Sequence, residues 1–170
     1  MTKFVALLRA VNVGGTGKLP MKQLAALCAD IGFGNVRTYI QSGNVVFESG
    51  RTEKAVRDAL AKALTKTMGK PADLAVRTAA EMRVVLKANP FPGKEGAKVA
   101  VAFLAAAMLR RALDGVVAPG GEEIRPGKRA VYIYYPTGMG RSKLKLPKDL
   151  GVVTVRNINT VGKLVEMMAE

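Results

Sequence analysis

Histidine is missing from the chain altogether. With it go the usual general base near neutral pH, the commonest metal ligand and every Ser-His or Cys-His arrangement. A single cysteine, Cys28, excludes an internal disulfide framework and a cysteine-built zinc site. The 13 acids are scattered, and the adjacent pair Glu122-Glu123 on an expected strand would point to opposite faces, so a hard-metal cluster is not expected. No cofactor is indicated. There is no tryptophan and aromatics make up 5% of the 170 residues, so Val, Leu, Ala, Ile and Met must build the core. No apolar run reaches the roughly 18 residues that span a bilayer. The longest, Val99 to Leu109, ends at Arg110 and Arg111. Thr2 and Lys3 lead straight into an alternating apolar stretch with no small-residue cleavage site, so no signal peptide, no membrane partner and a cytoplasmic location are expected.

What is abundant is positive charge. Lys and Arg number 27, giving a formal net charge of +14. A balance of this size concerns solubility and partners, and favours a phosphate-bearing partner, either an anionic small molecule or a nucleic acid. Hydrophobic residues at 49% are enough for a core.

The hydrophobic periodicity predicts strands at Lys3–Arg9, Asn35–Ile40, Asn44–Glu48 and Asp73–Arg77, with helices after Pro20 and from about Thr52 to Met68. Cys28 falls on the inward stripe of the first helix with Met21, Leu24 and Ile31, where a cysteine is an inert core residue. Strand, helix, strand, strand, helix, strand is the split βαβ, or ferredoxin-like, order. Thr78-Ala79-Ala80-Glu81 is a capping box opening a further helix that stops before Asn89-Pro90. The order then repeats. Strands are expected at Ala97–Leu104, Glu122–Arg125, Ala130–Tyr135 and Val152–Arg156, helices at Ala105–Leu113 and Ser142–Leu150, and a last helix at about Thr160–Met168. The expected fold is α+β: two ferredoxin-like (βαββαβ) halves in tandem, residues 1–77 and 97–170, joined by a helix and linker over 78–96, with a C-terminal helix.

The loop Asn12-Val13-Gly14-Gly15-Thr16-Gly17-Lys18 fails the Walker pattern, because Lys18 is followed by Leu19 and the position five before Gly17 is Asn12. It still leads from a strand into a helix N-terminus with a lysine close by, an arrangement that favours an anion. The turn Gln41-Ser42-Gly43-Asn44 is hairpin chemistry and also offers polar groups beside that loop. From Arg125 to Lys148 the chain holds seven cations and no acid, with Tyr132, Tyr134 and Tyr135 inside it. RNA-recognition domains place stacking aromatics on the equivalent strand, but Gly127-Lys128-Arg129-Ala130-Val131-Tyr132 lacks their motif. At Arg156-Asn157-Ile158-Asn159-Thr160, Asn159 or Thr160 is expected to cap the last helix, and Arg156, read as exposed at its N-terminus, to meet an anion. An enzyme on this chain would rely on a pair such as Ser142 with Lys143 or Lys18, a scheme that adjacent residues seldom satisfy geometrically.

Leu7-Leu8-Arg9-Ala10-Val11-Asn12-Val13-Gly14-Gly15, Leu19-Pro20-Met21 and Arg37-Thr38-Tyr39-Ile40-Gln41-Ser42-Gly43-Asn44-Val45-Val46-Phe47 resemble the domain-of-unknown-function 1697 family. Gly140-Arg141-Ser142-Lys143-Leu144 and Thr154-Val155-Arg156-Asn157-Ile158-Asn159-Thr160-Val161 are similar too, except that family members often carry an aromatic at the position of Ile158. The resemblance implies a two-part α+β fold and no reaction. Its motifs are polar, glycine-rich element ends, where ligand sites rather than cores are found. The expected ligand-binding residues are therefore Arg9, Asn12, Gly14, Gly15 and Lys18; Gln41, Ser42 and Asn44; Arg141, Ser142 and Lys143; and Arg156, Asn157, Asn159 and Thr160. Lys18 and Arg156 are expected to face a shared groove.

Overall fold

A computed structural model describes residues 1–9, 19–39, 43–109 and 111–170. The protein is α+β, with two four-stranded antiparallel sheets and four helices among the described residues. It divides into two compact units, Met1–Met82 with Leu164–Glu170, and Arg83–Lys163.

In the first unit the strands β1 (Thr2–Leu8), β2 (Gly34–Tyr39), β3 (Asn44–Ser49) and β4 (Leu74–Thr78) lie in the order β2-β3-β1-β4. Helices α1 (Met21–Ile31) and α2 (Glu53–Met68) supply the apolar stripes that cover one face. Phe4, Ala6 and Leu8 of β1 alternate toward that face and pack with Leu24, Cys28, Val56, Leu60 and Leu64. Phe33 stacks on Phe47 with centroids 4.2 Å apart and planes 7° from parallel. Gly32 ends α1 in the left-handed conformation at φ 104°, donating to Ala29 O, while Phe33 N donates to Cys28 O. Thr52 caps α2 by accepting from Ala55 N at 3.2 Å.

Helix α3 (Ala79–Lys87) opens on a capping box: Glu81 N donates to Thr78 Oγ1 at 3.1 Å and Thr78 N to Glu81 Oε1 at 3.0 Å. The second sheet holds β5 (Val99–Leu104), β6 (Glu123–Gly127), β7 (Ala130–Tyr134) and β8 (Val152–Asn157) in the order β6-β7-β5-β8. Helix α4 (Ile158–Ala169) follows. One face of this sheet carries Ala100, Ala102, Leu104, Val131 and Ile133.

What covers that face departs from the expectation. Ala105–Leu113 is not a helix. Its described backbone bonds reach back three residues, as in Ala112 N to Leu109 O and Asp114 N to Arg111 O, and Arg111 is left-handed at φ 67°. Met108, Ala112 and Leu113 turn down onto the sheet, so packing overrides the helix propensity of the alanines. Ser142–Leu150 is not a helix either. Short 3-10 turns stand at Met139–Arg141 and Lys148–Leu150, and between them Ser142 is extended and no helix forms. Ser-Lys-Leu-Lys-Leu alternates with period two, and Pro147 cannot donate to a helical ladder. Leu144 and Leu146 pack inward while Lys143 and Lys145 are exposed.

Charge is divided unequally. The second unit carries 15 Lys and Arg against five acids, and the first 12 against eight, so ten of the 14 net positive charges belong to the second. No helix among the described residues is long and apolar enough to cross a membrane.

Candidate functional site

At one end of the first sheet β1 and β2 finish and β3 and β4 start. Leu8 N donates to Gly43 O at 2.9 Å, and Arg9 N to Asp73 O at 3.0 Å. These bonds bring the stem of the 10–18 segment beside the stem of the 40–42 turn. Asn44, fully buried, donates from Nδ2 to Tyr39 O at 3.0 Å and so closes the same turn from inside. A buried amide justifies its desolvation only by such bonds. Arg9 is exposed and its guanidinium lies 3.8 Å from the exposed Asp73 carboxylate, a pair worth about 0–1 kcal/mol. Helix α1 starts after Pro20 with no side-chain cap and no acid in its first turn. Among the described residues no side chain caps its first N–H groups and no acid of its first turn offsets its positive dipole end. Asn12, Gly14, Gly15, Lys18, Gln41 and Ser42, expected at this end, lie outside the described residues.

In the second unit the expected residues mostly serve structure. Arg156 is 8% exposed, not an exposed residue at a helix N-terminus. It sits within β8 opposite Val101 and donates to Thr154 Oγ1 at 2.5 Å and Val155 O at 3.0 Å. Burial pulls its guanidinium down to about 10, still cationic at neutral pH. The cap of α4 is Asn157 rather than Asn159 or Thr160, since Thr160 N donates to Asn157 Oδ1 at 2.9 Å. Asn159 lies over Gly96, where a Cβ would come within 2.0 Å of its Oδ1. Thr160 is buried and Ile158 starts the helix, buried too. Lys18, the other half of the expected shared groove, is outside the described residues.

Ser142 is no activated nucleophile. Its Oγ donates to Glu122 Oε1 at 2.6 Å and accepts from Leu144 N at 3.1 Å, while Glu122 Oε2 accepts from Gly120 N at 2.8 Å. The Ser142 hydroxyl, and then the backbone N–H groups, hold the Glu122 carboxyl below the usual carboxylate range, so it is a poor base. The group clips the 120–122 turn to the 142–144 segment. Sequence reading placed Glu122 on a strand; β6 starts one residue later, and a partner 20 positions away leaves no local signal.

Tyr132 is not a stacking platform. It is buried, and its hydroxyl donates to Val85 O at 2.6 Å. Tyr134 is half-buried, with Phe91 tilted against it at 5.9 Å and the Lys94 ammonium 4.9 Å from its centroid. Arg141 and Lys143 are exposed and make no ion pair among the described residues. Cys28 is buried, and burial pushes its thiol up to about 12. No three of His, Cys, Asp and Glu come together among the described residues.

The sequence profile of a family described as protein of unknown function (DUF1697) matches residues 1–132, a range that holds the motifs at the end of the first sheet. The chain belongs to that family. A solved structure, the conserved bacterial protein SP0830 from Streptococcus pneumoniae, superposes with a TM-score of 0.81 at 21% identity over 98% of each chain. At that identity the likeness speaks for the fold alone. No curated protein matches the chain.

Proposed function

We propose that the protein binds a phosphate-bearing or other anionic small molecule at the end of the first sheet where β1 and β2 finish. The observation that carries this reading is the Leu8–Gly43 bond, which draws together the stems of two polar family motifs. Beside them stand a weakly paired arginine, Arg9, and a helix start without side-chain cap or acid. An anion there would accept from backbone N–H groups and displace Asp73 from Arg9 at little cost. Lys18 from the 10–18 segment would add a second cation. The two strand orders support reading each sheet as a ferredoxin-like unit, the second with turns and a ribbon in place of helices over one face. The single cysteine supports the cytoplasm as the compartment.

The test is a thermal-shift screen of inorganic phosphate, nucleotides and short carboxylates on wild type and Arg9→Ala. A hit should raise the melting temperature and saturate. Arg9→Ala should weaken it by about 1.5–3 kcal/mol, the range for charged hydrogen bonds, with under about 1 kcal/mol of stability lost. If no anion shifts the wild type, or if Arg9→Ala binds as well as wild type, this reading is abandoned.

A further inference from the structure

Burial alternates strictly from Arg141, the last residue of a 3-10 turn, through Leu146, and residues 142–146 pair with no strand among the described residues. Ser142, Leu144 and Leu146 turn inward, while Arg141, Lys143 and Lys145 are exposed. On a helix these three cations would be splayed by about 200° from one to the next. Their alternating exposure puts all three on the solvent side of the segment, and where the chain is extended, side chains two apart stand about 6.6 Å from each other, twice the rise per residue. The inward residues hold this geometry: Ser142 is clipped to Glu122, and the leucines are anchored on the second sheet's core. None of the three cations has an ion-pair partner among the described residues. The unit that carries them holds ten of the 14 net positive charges.

The geometry points to a track for the phosphodiester backbone of single-stranded nucleic acid along Arg141, Lys143 and Lys145. Three like charges on one solvent-facing side, successive along the chain, suit a polyanion better than a single anion. Their spacing is about twice the ~3.4 Å rise of a stacked strand, so an unstacked strand, which can straighten, fits them best. What flanks the row selects among polyanions. Lys143 and Lys145 also line a groove of about 500 Å3 with Val116, Val117, Leu146 and Pro147, and Val117 is 74% exposed. A base beside its own phosphate fills apolar space next to a cation. A run of Asp or Glu side chains has nothing apolar to put there. Asp114, the one acid on the groove, keeps phosphates on the row and out of the groove. No aromatic lines it, so bases are covered rather than stacked, and binding is indifferent to sequence. This site shares no residue with the one proposed above and stands independently of it.

The test measures binding of fluorescent oligo(dT) by anisotropy across a salt series. It compares wild type, the triple variant R141Q/K143Q/K145Q, and an equal-charge control, K62Q/K66Q/K70Q, on exposed residues of α2 and its end. Melting curves check that all three are folded. The plot of log affinity against log salt should be shallower by about 2 in the first variant, from a slope of about 0.7 per phosphate contact, with at least a tenfold loss at low salt. The control should keep the wild-type slope. Wild type should bind an abasic oligonucleotide more weakly with the same slope, because the groove is then unfilled. No binding by wild type at low salt, equal losses in the two triple variants, equal affinity for the abasic strand, or displacement by polyglutamate as effective as by oligo(dT) would each overturn the proposal.

Discussion

The two sheets share a strand order and differ in what covers them. In the first unit two helices of 11 and 16 residues close the core face, and among the described residues fourteen buried ones form one cluster with three phenylalanines among them. In the second the corresponding face is closed by 3-10 turns and a ribbon, and its cluster has seven buried residues among those described, three of them Ala or Val. The same sheet can thus be covered by cooperative helices or by segments that hold themselves down residue by residue. A helix spends its own backbone groups internally and presents one apolar stripe. A ribbon has no internal ladder, so it needs side-chain clips, here Ser142 to Glu122, and it leaves alternate side chains to solvent. That contrast gives the second unit a row of exposed cations, because alternate residues of a ribbon stay in solvent.

The largest test of this contrast is in the cores. Phe47→Ala removes a ring stacked on Phe33 and Phe4 in the helix-covered cluster and should cost about 3–5 kcal/mol. Leu144→Ala, in the half-buried ribbon, should cost about 1–2 kcal/mol, because only part of its side chain leaves an apolar contact. Urea unfolding of the two variants measures both, and equal losses would mean that the ribbon is as firmly packed as a helix. Next in size, Cys28→Ser should destabilise by about 1–3 kcal/mol, since a hydroxyl enters an apolar site. In wild type a thiol reagent should react far more slowly in native buffer than in denaturant, as a buried thiol pushed up to about 12 supplies almost no thiolate. Equal rates would show that α1 does not seal its face of the sheet.

The smallest effect probes the clip. The Glu122 carboxyl is held below its ordinary range by the Ser142 hydroxyl and then by backbone N–H groups. A depressed carboxyl contributes stability above its unfolded value of about 4.3 and loses it as pH falls through the folded value. The melting temperature of wild type should therefore fall faster on acidification below that point than that of Glu122→Gln. Parallel curves would show that the clip contributes nothing measurable.

Much of the first unit was legible in the sequence. Its helices are long, their apolar stripes repeat at 3.6 residues, and Thr52, Thr78 and Glu81 mark their starts with local chemistry. All four of its strands were found within two residues of their expected bounds, for the same reason. The second unit's strands were equally plain, but its covering was not. The Ala-rich run at Ala105–Leu113 has the local preference of a helix, and only the sheet beneath, pulling Met108 and Leu113 down, sets it otherwise. The ribbon at 142–146 did carry its own signal, a strict alternation that Pro147 confirms.

By itself, then, the sequence determined the chemistry available to this protein: no histidine base, one cysteine, a surplus of cations, and polar glycine-rich motifs at strand ends. It also determined every element whose reason for forming is local, because caps, stripes and strand alternation act within a few residues. The tertiary structure alone decided which side chains those elements consume. Arg156 became a buried strand residue bonded to Thr154, Asn157 became the cap of α4, and Ser142 became a clip on Glu122 twenty residues away. Each of these roles depends on a partner brought close by packing, and burial, which makes an unpaired polar group costly, assigns every such group a partner that no local pattern can name.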